Sequence, residues 1–244
     1  MSEIGTLISN NGKITREELA QVATPLGTTT HRPVPHHEIV EALVETLSFR
    51  HIGIVGEEYA VSTDGMRMFG VLDLEAAFEG CRFAIGLRNS HDKSFRLSCT
   101  VGVRVFVCEN LAFSGDFTPV LAKHSKHFSL LDSLAVGVDR MQRSFEPMRR
   151  QVEAWREQQL STATAKLVIY RAFVEGELDA PRHLAQAVHQ LYFNPRYTEF
   201  QPRTMWSLSN AFTSALKQLG PIPLFKATAK LGAFLGSVQV SSAT

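Results

Sequence analysis

A chain of 244 residues with 44% hydrophobic and 20% charged side chains has the composition of a globular protein that buries a substantial core. Its formal net charge of +1 excludes a strongly basic or acidic protein, so any electrostatic attraction to a partner must come from a local patch. The cysteines Cys81, Cys99 and Cys108 form no CxxC pair, which argues against a secreted disulfide framework and favours the reducing cytoplasm.

The charges are unevenly distributed along the chain. Residues 36–79 hold nine acidic side chains against two arginines, whereas residues 82–171 hold fourteen basic side chains against eight acidic ones. This asymmetry permits an anion-binding surface in the middle of the chain, although solvated helix faces would give the same counts. The polar start of the chain and the absence of a run of about 18 apolar residues lead us to expect no signal peptide and no membrane span.

The N-terminal part of the chain predicts a short helix, an extended arm and an amphipathic helix. Thr15 and Glu18 have the spacing of a capping box at a helix start. Residues 25–35 are rich in Gly, Thr and Pro, which favours an extended arm. Apolar residues at helical spacing then predict a helix over residues 37–49 with an acidic outer face.

Two hairpins follow, and both are marked by polar turns. The first is predicted from strands over 51–61 and 66–74, joined by the Asp64-Gly65 turn. The second is predicted from strands over 82–88 and 95–107, joined by residues 89–94. In the last strand one face is uniformly apolar, and the other carries Arg104 among small residues.

The remainder of the chain predicts helices. Predicted helices cover 120–159 with a bend near Pro147, 163–174, 181–194, 204–219 and 225–235. The order therefore predicts an α+β fold, with an N-terminal helix, a four-stranded antiparallel meander and a mostly helical C-terminal half packed on one sheet face. The other face would then be free for ligands or subunits. We expect an arm at 1–35, a core domain at 36–175 and a helical extension at 176–244.

The turn of the second hairpin is the candidate catalytic site. His91 titrates near neutral pH and has Asp92 beside it, so with Glu109 these residues are candidate catalytic groups of a metal-dependent nuclease. Asn, Ser and Asp are also turn formers whose side chains bind their own backbone, and the spacing alone favours a structural turn. No residues have the spacing of a known metal motif, the pair His124 and His127 included, so we assign no metal site and no cofactor.

Basic residues interleaved with aromatic ones predict a nucleic-acid interface. Arginine and lysine neutralise phosphates, and aromatic rings stack on the bases of single strands. The alternative is that the phenylalanines are core residues and the basic residues lie on the surface. The candidate nucleic-acid-binding residues are Arg82, Arg88, Lys93, Arg96 and Arg104 on the second hairpin and Arg140, Arg143, Arg149 and Arg150 on the long helix.

Neither the cysteines nor a search for catalytic and nucleotide-binding motifs indicates an enzymatic activity. Cys99 falls on the apolar strand face, which predicts an inert core thiol, and Cys108 lies nearer the strand end. The chain contains no GxSxG, P-loop or GxGxxG motif, so acyl transfer and nucleotide-binding folds lack motif support.

The second hairpin resembles a known family. Asn89-Ser90-His91-Asp92, followed by the strand that leads to Cys108 and Asn110, resembles the signature of a plasmid- and phage-borne family catalogued only as domain of unknown function nine-three-two. The resemblance extends from about residue 36 to about residue 175. It implies a mobile-element protein rather than a particular activity. The element order is also similar to the core of single-strand annealing proteins, which is an analogy of architecture alone.

Three hypotheses follow from the sequence. The leading one is a non-enzymatic, cytoplasmic DNA-binding protein of a mobile element, which forms a homo-oligomer, contacts no membrane and prefers single strands to duplex. The first alternative is a metal-dependent nuclease. The second alternative is a protein-interaction or inhibitor module that acts on a host factor.

Overall fold

The computed structural model describes residues 13–108, 110–113, 120–122 and 129–238. The chain divides into two compact units, residues 1–104 with 117–145 and residues 105–116 with 146–244. Strands and helices are both present, which confirms the predicted α+β class. The elements are β1 Lys13–Ile14, α1 Arg16–Ala20, α2 His36–Ser48, β2 Ile54–Val61, β3 Arg67–Phe78, β4 Cys81–Ser90, β5 Leu97–Val105, β6 Leu111–Phe113, β7 Val120–Ala122, α3 Leu130–Glu157, α4 Thr162–Phe173, α5 Leu184–Phe193, α6 Met205–Leu216 and α7 Pro221–Gly236, with a 3-10 turn at Thr198–Phe200.

The first unit is built on a sheet whose strands β1 to β5 follow one another in chain order. Antiparallel pairing joins β1 to β2, β2 to β3 and β3 to β4, and β7 pairs with the start of β5. Strands β3 and β4 are joined by the tight turn Glu79-Gly80, where both residues have positive φ angles, of 30° and 74°. Glycine adopts such angles without steric cost, so the turn suits a two-residue hairpin connection.

The register of β3 and β4 separates the two faces of the sheet. Met68 lies opposite Asn89 and Leu72 lies opposite Ile85, so their side chains share one face. On this face Phe83 stacks on Phe145 of α3, with ring centroids 4.3 Å apart. The first part of α3 therefore packs on this face, where the core of the first unit lies.

The opposite face of the sheet is also buried along β5. Ser98 and Thr100 are fully buried, and Arg104 forms an ion pair with Asp73, with Nε and Oδ1 2.7 Å apart. The prediction of a free second face is therefore wrong at β5. The sequence pattern failed here because small polar residues are compatible with both a solvated and a covered strand face.

The second unit is organised around α6. All residues from Met205 to Thr213 are buried, although the helix includes Ser207, Ser209 and Asn210. A helix that is buried all round must satisfy its polar side chains internally, and Asn210 Nδ2 donates to Trp206 O at 3.0 Å. Helices α5 and α7 flank α6, and α4 packs on α5.

The predicted elements agree with the structure in most places. The capping box at Thr15 and Glu18 is confirmed, and so are the four strands of the two hairpins. Residues 120–122 form a strand rather than the start of a helix, and α3 begins at Leu130. The short strands β1, β6 and β7 were not predicted, because two or three residues carry no measurable alternation. In the part of the chain described, no helix has the length and apolar character needed to cross a membrane.

Candidate nucleic-acid interface and histidine clamp

Two turns meet at one end of the sheet of the first unit. Arg67 at the start of β3 lies opposite Ser90 at the end of β4, and His91 N donates to Met66 O at 2.8 Å. The turn after β4 is fixed by its own side chains, since Asp92 Oδ1 accepts from Ser94 N at 2.9 Å and Ser90 Oγ donates to Phe95 O at 2.7 Å. Ser90 and Asp92 thus act as turn formers here.

Basic side chains gather at this end of the sheet. Arg67 pairs with Asp92, with Nε and Oδ2 3.0 Å apart, and the Arg88 guanidinium lies over the Phe95 ring at 5.3 Å from its centroid. Lys93 and Arg96 are exposed in the turn. Burial lowers the pKa of Arg88, so its guanidinium is partly removed from water. We call Arg67, Arg88, Lys93 and Arg96 the basic end.

The pairing places Arg67 and Arg88 on the same sheet face. Arg67 lies opposite Ser90 and Phe69 lies opposite Arg88, so the two arginines are diagonal neighbours across β3 and β4. The acidic side chains of the two turns are Asp64 and Asp92. The basic end therefore carries more positive than negative charge.

The remaining predicted nucleic-acid-binding residues lie elsewhere. Arg104 is 5% exposed and paired with Asp73, so it has no surface to offer a phosphate. Arg82 lies at the opposite end of β4 from Arg88, about 20 Å away at the rise of a strand. On α3, Arg149 and Arg150 form ion pairs with Glu146, while Arg140 and Arg143 are exposed.

The N-terminal arm is held to the end of β4 by a buried cluster of histidines. His36, the first residue of α2, stacks on His91 with ring centroids 3.9 Å apart and planes at 7°. Asn89 Nδ2 donates to Val34 O at 3.1 Å and lies 2.8 Å from His36 Nδ1. His91 Nε2 lies 3.0 Å from the same Val34 O, and His31 Nε2 lies 3.2 Å from His91 O. We call His31, His36, Asn89 and His91 the histidine clamp.

The hydrogen bonds of the clamp define its protonation. A carbonyl oxygen only accepts, so His31, His36 and His91 each carry a proton on Nε2, which faces His91 O, Gly65 O and Val34 O respectively. His36 Nδ1 then accepts from the Asn89 amide. His91 Nδ1 is buried and has no hydrogen-bond partner among the described residues. Burial, the largest cause, lowers the pKa of His91 and favours the neutral ring.

The two candidate catalytic residues that the structure describes, His91 and Asp92, point to different places. The His91 side chain is 3% exposed and lies inside the clamp, whereas the Asp92 carboxylate points to Arg67 and Ser94. Glu109, His124 and His127 lie outside the described residues. Within the described ranges, no group of three or more His, Cys, Asp or Glu side chains could hold a metal ion.

The second half of the family motif lies in the second unit and binds α6. Asn110 Nδ2 donates to Asn210 O at 3.1 Å and to Asn210 Oδ1 at 3.2 Å. Cys108 is half-buried; its thiol donates to Asn210 Oδ1 at 3.9 Å, and Lys217 Nζ donates to its carbonyl oxygen at 2.7 Å. Asn89 and Asn110 thus have the same task, which is to fix a segment distant in sequence.

The sequence analysis missed His31 and His36 as partners of the motif. Their signal was present, because both residues flank the Pro33-Val34-Pro35 segment, whose proline content predicts an extended backbone with a carbonyl available to distant donors. Nothing in the local sequence, however, indicates that His91 is that donor. Cys99 is 3% exposed, and burial raises the pKa of its thiol to about 12, which confirms an inert core thiol.

Comparisons with known proteins give one match. No curated protein and no solved structure matches the chain. A family model, described as domain of unknown function (DUF932), matches residues 28–233. The match begins at Thr28, whose backbone N–H donates to His31 O at 2.7 Å, so it includes the histidine clamp as well as the motif strands. The chain therefore belongs to the DUF932 family.

Proposed function

We propose that this protein binds single-stranded DNA at the basic end of the sheet. The observation that carries the proposal is that Arg67, Arg88, Lys93 and Arg96 lie at one end of the sheet, where the Arg88 guanidinium covers the partly exposed Phe95 ring. Cations on a narrow surface neutralise successive phosphates, and an arginine plane or an aromatic ring accepts the face of an unpaired base. A base stacked within a duplex cannot reach such a platform, which favours single strands.

The residues of the basic end would have different tasks. Lys93 and Arg96 are exposed and have no ion pair among the described contacts, so they would be available to a phosphate backbone. Arg88 lies against Phe95 and is partly desolvated, so it would hold a base or a phosphate in one orientation. A mobile-element origin, implied by the family resemblance, agrees with a protein that handles single strands.

Fluorescence anisotropy of a labelled single-stranded oligonucleotide at several salt concentrations tests the proposal. The charge reversals Lys93→Glu and Arg96→Glu should weaken binding, and removing two phosphate contacts should lower the salt slope by about 1.4. The matched controls are Lys166→Glu and Arg182→Glu, which reverse two exposed cations of the second unit and should change neither value. If both pairs of variants lose the same amount of affinity for the oligonucleotide, the basic end is not the binding surface.

Two further arms of this experiment separate the alternatives. A duplex of the same sequence should bind more weakly than the single strand. If the protein degrades the oligonucleotide only when magnesium is present, the result would favour the nuclease alternative. Failure to bind at low salt would contradict both nucleic-acid functions.

Association with a protein chain, either another copy or a host factor, is the second candidate function. On α4 and its C-cap residue, the side chains of Leu167, Tyr170 and Val174 are 55%, 51% and 43% exposed, and they recur at helical spacing on the face opposite the buried residues. A row of large exposed apolar side chains is typical of an interaction surface. Sedimentation of the protein alone and with a cell extract would separate self-association from binding of a host factor.

A further inference from the structure

We propose that the histidine clamp is a pH-sensitive latch, which holds residues 28–35 against the sheet at neutral pH and releases them on acidification. The segment is joined to the end of β4 through His31, Val34 and His36, and each of these contacts includes an imidazole ring or the Asn89 amide. The proposal concerns the arm alone and does not depend on DNA binding.

The bond between Asn89 and His36 exists only while His36 is neutral. Asn89 Nδ2 is a donor that also serves Val34 O, and His36 Nε2 donates to Gly65 O, so His36 Nδ1 must keep its lone pair. A proton on Nδ1 would place two donors 2.8 Å apart. Rotation of the Asn89 amide would relieve this conflict, but it would turn the amide oxygen towards Val34 O. Protonation therefore costs one of the two Asn89 bonds to the arm.

The stack adds a second penalty for protonation. His91 and His36 face each other at 3.9 Å with nearly parallel rings, an arrangement that repels strongly when both rings are charged. His91 Nδ1 is buried without a partner among the described residues, so a proton there would form an unpaired buried N–H. Acid must therefore separate the rings or expose them to water.

The surrounding charges do not compensate a charged stack. The acidic groups nearest in the turns are already engaged, since Asp92 binds Arg67 and Ser94, and Asp64 binds Ser62 and Met66 N. At the ends of the elements that meet at the stack, the charged and titratable side chains are His31 and Arg32 on the arm, His37 and Glu38 in the first turn of α2, Asp64 in the β2–β3 turn, Arg67 at the start of β3, Arg88 near the end of β4, and Asp92, Lys93 and Arg96 in the β4–β5 turn. Their sum is positive, which disfavours a further cation.

The direction of the pH effect follows from the neutral clamp. A histidine exposed to water has a pKa of about 6.5, and burial lowers that of His91 in the closed clamp. The open state therefore binds more protons than the closed state in acid. The closed clamp is fully favoured above about pH 6.5, and its stability falls as the pH drops from there through the lower pKa of the closed state.

Hydrogen–deuterium exchange of the whole protein, corrected for intrinsic exchange rates, tests the latch. Between about pH 7 and about pH 5, protection of residues 28–36 should be progressively lost, because the open state takes up more protons than the closed clamp. In the double variant His36→Gln and His91→Gln, which keeps donor and acceptor atoms but does not titrate, protection should not change with pH. His183→Gln replaces an exposed histidine of the second unit and serves as control.

Three results would overturn the latch. The first is unchanged protection of the wild-type arm in acid. The second is an equal loss of protection in the wild type and the double glutamine variant, which would place the acid sensitivity elsewhere. The third applies if the double variant leaves the arm open already at neutral pH. The NMR signals of the wild-type imidazole nitrogens, which report the protonation of His91, then test the latch. A neutral His91 with Nε2–H that becomes charged as the arm opens supports the latch, and a His91 already charged while the arm is protected overturns it.

Discussion

Replacement of Asn89 tests whether the family motif is structural. Asn89 is fully buried, and Asn89→Ala removes the hydrogen bonds to Val34 O and His36 Nδ1. Each bond contributes about 1 kcal/mol, and the acceptor left buried on His36 costs about 1 to 2 kcal/mol more, so the expected loss is about 3 to 4 kcal/mol. Asn89→Asp should also lower stability at neutral pH, because the carboxylate keeps the shape but cannot donate to Val34 O.

The assay must report the first unit. Trp155 and Trp206 both lie in the second unit, so tryptophan fluorescence would miss the change. Hydrogen exchange of β4 and of residues 28–36 in increasing urea measures the local free energy of opening directly. Asn194→Ala, at an exposed asparagine, is the control and should change stability by less than about 0.5 kcal/mol. A loss below about 1 kcal/mol for Asn89→Ala, or reduced DNA affinity at unchanged stability, would refute a structural role.

Three further predictions concern charged residues. Lys93 has a φ of 62°, so Lys93→Gly should raise the free energy of unfolding by about 1 kcal/mol in thermal unfolding while lowering the salt slope of DNA binding by about 0.7. Arg104→Gln leaves Asp73 unpaired, so urea unfolding should show a free energy of unfolding lower by about 3 kcal/mol. Adding Asp73→Asn should recover part of this loss, and the affinity for DNA should not change. Bonds from Arg149 and Arg150 lower the pKa of Glu146 to about 2, so its carboxyl NMR signal should titrate near that pH, and Arg149→Gln with Arg150→Gln should raise it towards 4.5.

Each of these three predictions has an outcome that contradicts it. A loss of stability in Lys93→Gly would mean that the lysine side chain makes a stabilising contact. Weaker DNA binding by the Arg104 variant at full folding would return Arg104 to the interface. A titration of Glu146 near 4.5 in the wild type would show that its two arginine bonds are absent in solution.

The sequence predicted most of the first unit's strands because their signals are local. The Asp64-Gly65 turn and the alternation from Leu97 to Val105 need only neighbouring residues to be interpreted. The positions of Thr15 and Glu18 gave a helix start for the same reason.

The nature of the motif could not be predicted, because its partners are distant in the chain. Asn89 binds Val34 and Asn110 binds Asn210, and sequence spacing carries no information about such pairs. The burial of Arg104 was missed for a similar reason, since its partner Asp73 lies on another strand. An arginine in a sequence is compatible both with an exposed surface position and with a buried ion pair. Only the fold shows which of the two positions it occupies.

The tight Glu79-Gly80 turn has a consequence for the order of folding. The paired residues Phe78 and Cys81 are almost adjacent in the chain, so the β3–β4 hairpin closes with little loss of chain entropy. The clamp instead joins residues 53 to 60 positions apart. We therefore expect substitutions in β3 and β4 to slow folding, whereas substitutions at His31 or His36 should mainly speed unfolding. The arm would close last, onto a hairpin that is already formed.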